Sequence, residues 1–96
     1  MQGYFAVVEK EPASDFGVFF PDLPGCVTAG SDFAEAVAWA HEALTLHVED
    51  MTPEELPPAS SLAQLEASDL YQLARDNVVA VIRIVPSQAP LAEAAE

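Results

Sequence analysis

Cationic residues are scarce in this chain: three Lys and Arg stand against 16 Asp and Glu, a formal net charge of −13 over 96 residues. A field of that sign repels phosphate backbones, so direct binding of nucleic acid by this chain is not expected. The same field attracts a cationic protein and speeds its encounter, although plain solubility is another use of such charge. Cysteine occurs once, as Cys26. A lone thiol excludes an intramolecular disulfide, and residues 1–10 lack the charged and apolar segments of a secretory signal, so a reducing, cytoplasmic setting is expected. Long hydrophobic runs are missing too. Val78 to Val85 comes closest, but it is far too short to cross a bilayer and is interrupted by Arg83, so no membrane role is expected. The two histidines, His41 and His47, lie six residues apart, off the helical spacing of three or four that a shared metal would need. No zinc site and no cofactor are expected.

What is abundant is apolar material, 51% of the residues, enough for one core and one domain at this length. Tyr4-Phe5-Ala6-Val7-Val8 and Phe16-Gly17-Val18-Phe19-Phe20 are rich in aromatic and β-branched residues. The turn formers from Glu9 to Asp15 join them as a hairpin. Pro21 and Pro24 break the chain twice, after which a short third strand, Cys26 to Ala29, ends at Gly30. Asp32, with Glu35 three residues on, opens a helix predicted to run to Met51. Its apolar stripe is Phe33, Val37, Ala40, Leu44, Val48 and Met51. Thr52 to Ala59, with three prolines, reads as an exposed connector. Ser60 or Ser61 caps a short helix through Leu65 and Glu66, and another turn or two follows over Asp69 to Ala74. Val78 to Val85 reads as a strand apolar on both faces, hence central in the sheet.

The strings Asp15-Phe16-Gly17-Val18, Phe20-Pro21-Asp22-Leu23-Pro24-Gly25-Cys26 and Glu42-Ala43-Leu44-Thr45-Leu46-His47, in this order of elements, resemble the HicB antitoxin family. The Phe20 to Cys26 string is the most specific part, and Pro58-Ala59-Ser60-Ser61-Leu62 adds to the match, which covers roughly residues 3–85. The resemblance implies an α+β, two-layer, partial RNase H-like β-β-β-α-β fold with a mixed sheet. One long helix packs on that sheet, and a fourth strand lies parallel to the first through a right-handed crossover. It implies a non-enzymatic antitoxin that assembles as a homodimer and occludes a HicA toxin, a small basic ribonuclease. Residues 1–86 are read as this domain and 87–96 as a tail or linker stump. The 11 residues after Val85 are too few for the family's DNA-binding module, so autorepression by this chain is not expected.

Three kinds of site can be weighed. A metal-dependent nuclease would need converging carboxylates, for which Asp15, Asp22 and Asp32 are candidates, but each position has an ordinary structural use in a turn, a loop or a helix cap. Cys26 would be a nucleophile only beside a base; a small buried hydrophobe is the reading preferred here. The most informative feature is the outer face of the long helix, where Glu35, Trp39, Glu42, Leu46 and Glu49 fall together at 100° per residue. Trp39 and Leu46 ringed by acids suit a basic toxin or a second copy of the chain, with Asp15 and Asp22 as loop-edge contacts. The alternative is that Leu65, Leu70 or Tyr71 folds over Trp39 and Leu46 and buries them. Beyond the antitoxin, a nuclease or a stand-alone acidic module that binds another basic protein are the rival functions.

Overall fold

A computed structural model describes residues 3–86, so the expectation for the tail at 87–96 lies outside the described residues. Four strands, β1 (Tyr4–Lys10), β2 (Phe16–Phe19), β3 (Val27–Gly30) and β4 (Val78–Ile84), form one sheet in the order β3-β2-β1-β4. The long helix α1 (Phe33–Val48) follows β3, and two short helices, α2 (Leu62–Glu66) and α3 (Asp69–Ala74), precede β4. The α+β class and the hairpin at the chain start are as expected.

The sheet is antiparallel throughout, not mixed. β4 pairs with β1 antiparallel, from Tyr4 opposite Ile84 to Glu9 opposite Val78, so it is neither parallel to β1 nor central but an edge strand. The handedness rule for parallel crossovers therefore has nothing to act on. The cause lies in residues 49–77, which carry the chain back along the sheet after α1 has crossed it once. β4 then enters beside the Glu9 end of β1. The apolar run in β4 also proves one-sided. Ala80, Ile82 and Ile84 join the core under α1, whereas Val79 and Arg83 are exposed.

That core is built from Tyr4, Ala6 and Val8 of β1, Val18 and Phe20, and the buried stripe of α1: Ala36, Ala40, Leu44 and Val48. The expected stripe is rotated. Phe33 is exposed, meeting Phe16 edge-on at 6.1 Å, and Val37 is half-buried, while Ala36 takes the central place. Small residues let the helix backbone lie close to the sheet. A side chain on Gly30 would stand 2.7 Å from the Ala36 Cα, so glycine is required there. α1 ends three residues before Met51, whose N–H turns back to the Val48 carbonyl and whose side chain still packs on the core.

The connector is only partly exposed. Leu56 and Ala59 pack against the core, and the buried Tyr4 hydroxyl donates to the Pro57 carbonyl at 2.6 Å. Ser61 caps α2 in a reciprocal box with Gln64, and Ser68 caps α3. Val7, on the sheet face away from α1, is fully buried, as is Leu65 of α2, and α3 shares a cleft with Glu9 and Phe19. The short helices therefore cover the opposite face of the sheet from α1.

Two turn positions give opposite expectations. Gly30→Ala forces backbone against backbone and lowers unfolding free energy by about 1–3 kcal/mol. Ala13 holds φ at 66° in the β1–β2 turn, where the Ser14 N–H reaches the Glu11 carbonyl. Ala13→Gly removes that strain and leaves stability unchanged or raises it by up to about 1 kcal/mol. Urea unfolding of both variants checks the pair.

Candidate functional site

The outer face of α1 owes its orientation to the inner one: with Ala36, Ala40, Leu44 and Val48 against the sheet, residues half a turn away must face solvent. Trp39 is 47% exposed and Leu46 57%, with Glu42 and Glu49 exposed beside them. α2 and α3 lie on the other side of the sheet, so Leu65, Leu70 and Tyr71 do not bury this pair. Trp39 and Leu46 are seven residues apart, about 10 Å along the helix axis, a span one partner element can cover. The Glu42 and Glu49 carboxylates make no hydrogen bond or ion pair among the described residues, leaving their charge free for a partner.

Glu35 is committed differently. Its carboxylate accepts from the Ser31 N–H at 2.6 Å and the Ser31 hydroxyl at 2.9 Å, while Asp32 accepts from the Glu35 N–H at 2.7 Å. These bonds close the start of α1, with Asp32 as the N-cap and Glu35 reaching back to Ser31, where the helix dipole favours negative charge. Asp15 sits exposed in the hairpin turn, next to Phe16, the first residue of β2, whose ring meets Phe33 at the start of α1.

Asp22 also has a structural task. Its two carboxylate oxygens accept from the Ser60 N–H at 2.7 Å and the Ser60 hydroxyl at 2.6 Å, tying the loop to the connector. The Phe20 to Cys26 string around it is a pair of turns. The Leu23 N–H bonds the Phe20 carbonyl and the Cys26 N–H bonds the Leu23 carbonyl, each at 3.0 Å, and the Phe20 N–H closes onto the Cys26 carbonyl at 3.2 Å. Pro21 and Pro24 preset the first corner of each turn, and Gly25, at φ +91°, supplies the left-handed corner of the second. Phe20, Leu23 and Cys26 point into the core.

Asp15, Asp22 and Asp32 thus serve a turn, a tie and a cap and do not converge. Among the described residues no three His, Cys, Asp or Glu side chains gather as metal ligands. Cys26 is buried in the core, 3% exposed, and burial pushes its thiol up from 9.0 to about 11. Its surroundings in the apolar core favour the neutral thiol over the thiolate that a nucleophile needs.

Sequence reasoning missed a second surface on the far side of the sheet, where Leu70 and Leu73 of α3 stand exposed beside Phe19. The three-residue spacing of these leucines was the available signal. Sequence reasoning weighs Leu70 only as a cover for Trp39 and Leu46, a place the structure does not give it, and leaves Leu73 out.

An antiparallel sheet carrying one long helix, with an acid-flanked apolar stripe on that helix, makes a small two-layer α+β domain. Residues 4–94 match the family model described as HicB_like antitoxin of bacterial toxin-antitoxin system, and the chain belongs to this family. It is 36% identical over 69 residues to an uncharacterized 14.9 kDa protein from the rep-hol intergenic region of Haemophilus phage HP1. That match covers 70% of this chain and 50% of the phage protein, so the chain spans about half the length of this curated relative. Its fold is that of the Burkholderia pseudomallei antitoxin HicB, with a TM-score of 0.67 at 21% identity, covering 99% of this chain and 80% of that one. A HicA3 and HicB3 toxin-antitoxin complex matches with a TM-score of 0.66 at 24% identity, over 90% of this chain and 99% of that one. No helix among the described residues is long and apolar enough to cross a membrane.

Two outcomes follow from this geometry. Asp22→Ala leaves Ser60 without its acceptors and lowers stability by about 1–3 kcal/mol, read as an earlier urea midpoint. The unfolded Cys26 thiol titrates near 9.0 and the folded one at about 11. Burial of the neutral thiol therefore contributes stability that is fully present below pH 9 and is lost as pH rises towards 11. Cys26→Ala is expected to lack this alkaline loss, on the order of 2 kcal/mol across that window. Urea titrations of both proteins from pH 7 to 11 measure it.

Proposed function

We propose that this chain is a non-enzymatic antitoxin that binds a basic, HicA-like ribonuclease and covers its RNA-binding surface. One observation carries the reading: a solvent-facing Trp39 and Leu46, flanked by the unpaired carboxylates of Glu42 and Glu49, on the central helix of a chain of net charge −13. The carboxylates steer a cationic partner, and the apolar pair anchors it once docked. Membership of the antitoxin family, and a fold shared with a chain of a HicA3 and HicB3 toxin-antitoxin complex, support the choice of partner. The same reading takes the chain to be cytoplasmic and homodimeric, with residues 1–86 as the toxin-binding domain. It assigns Glu35 and Asp15 to the rim of the contact. Asp22 acts indirectly, by holding its loop.

The test titrates a purified HicA-family toxin against wild-type and Trp39→Ala protein. A loss of affinity of about 30-fold or more is expected, with the urea midpoint little changed, because Trp39 is half in solvent already. Raising salt from about 0.05 to 0.5 M should slow association several-fold in the wild type, and less in Glu42→Gln/Glu49→Gln. Full affinity in a folded Trp39→Ala/Leu46→Ala protein would overturn this site. Magnesium-dependent cleavage of labelled RNA by the purified chain would overturn the non-enzymatic reading.

A further inference from the structure

The face of the sheet turned away from α1 carries a cleft of about 290 Å³ between α3 and the β1–β2 hairpin. Its apolar walls are Phe19, Leu70 and Leu73, and its rim holds the carboxylates of Glu9 and Glu11. Leu73 is 85% exposed, the most exposed large apolar side chain among the described residues, and Val27, paired with Phe19 in the sheet register, adds apolar surface at the open end. Leu73 contributes little to the core: Leu65 is the buried residue of α2, α3 has none fully buried, and Leu70 and Leu73 stand exposed. An apolar ridge left in water is disfavoured unless something covers it. The rim is equally unprovided for. Neither Glu9 nor Glu11 makes a carboxylate hydrogen bond or ion pair among the described residues, and Lys10 between them points to the other face, 5.7 Å from the Phe16 ring centroid.

We propose that this cleft docks a cationic amphipathic helix of a protein partner. A lysine or arginine stem lies on Phe19 with its head between Glu9 and Glu11, and an aliphatic residue one turn away packs against Leu70 and Leu73. The volume admits one or two side chains, not a folded lobe, so the occupant presents single residues from a regular element. A second copy of this chain is poorly suited to this cleft, because it carries only three cationic residues with which to meet Glu9 and Glu11. The cleft and the Trp39 stripe lie on opposite faces of the sheet, so this contact is separate from the toxin site proposed above and does not depend on it.

The experiment titrates the ¹⁵N-labelled full chain with a synthetic Leu/Lys peptide of helical amphipathic pattern. A scrambled peptide of the same composition, a Leu/Glu counterpart and spermidine are run alongside. Expected are amide shifts concentrated at Glu9, Glu11, Phe19 and residues 70–74, with the Trp39 indole signal unmoved. Leu73→Asp, a change at a solvent-facing position, should weaken binding tenfold or more. Glu9→Gln/Glu11→Gln should weaken it several-fold and flatten its salt dependence. Shifts centred on Trp39, equal binding by the scrambled peptide or spermidine, or undiminished binding by Leu73→Asp would each overturn the proposal, as would no binding at all. Loss of toxin binding in Trp39→Ala reads the other site, so either proposal can fail alone.

Discussion

Close approach of α1 to the sheet is the constraint on which the remainder of this molecule depends. Ala36 and Ala40 present almost no side chain, and Gly30 presents none, so helix and strand backbones meet with nothing between them. That contact fixes the rotation of α1 about its axis to within a fraction of a turn. Leu44 and Val48 then go inward, and Trp39, Glu42 and Leu46 go outward as a consequence of helical period. A larger residue at Gly30 would lift and rotate the helix, so the packing seam and the exposed stripe are two results of one geometric fact.

The Phe20 to Cys26 loop supports the same contact from the side. Its two turns reverse the chain tightly enough to bring β3 back against β2, while Leu23 and Cys26 enter the core beside α1. Asp22 extends this support outward to Ser60, and Tyr4 extends it to Pro57, so a proline-rich connector is held by two hydrogen-bonded ties instead of lying free. The most family-like string in the chain is therefore architectural. It shapes the binding surface without belonging to it, which is why its residues are mostly buried or bonded and those of the stripe are not.

Much of this was legible in the sequence. The hairpin follows from two β-rich runs around Pro12 and Ser14, α1 from Asp32 and Glu35 ahead of a three-four repeat, and the outer stripe from that same repeat. These are local patterns, and local stereochemistry decides them. The direction and place of β4 were not legible, because they depend on how far residues 49–77 travel, and a run of short helices and prolines does not encode a path length. Val78 to Val85 looks buried on both sides when only residue type is read. In the structure one side rests on the core and the other meets solvent with Val79 and Arg83. The seam of α1 was misjudged by one position for a related reason: Phe33 and Val37 are more hydrophobic than Ala36, but only alanine fits where the backbones touch.

The antiparallel course of β4 has a further result for the surface. Because residues 49–77 run back along the sheet before β4 begins, α2 and α3 are delivered to the face opposite α1, and Leu65 buries that face beside Val7 only in part. Had the chain passed directly from α1 into a parallel β4, those short helices would have no place there, and Leu70 and Leu73 would have no cleft to line. This acidic chain leaves apolar groups exposed on both faces of the sheet, next to carboxylates with no internal partners among the described residues. A cationic surface closing over such a patch removes the apolar groups from water and meets the carboxylates with opposite charge.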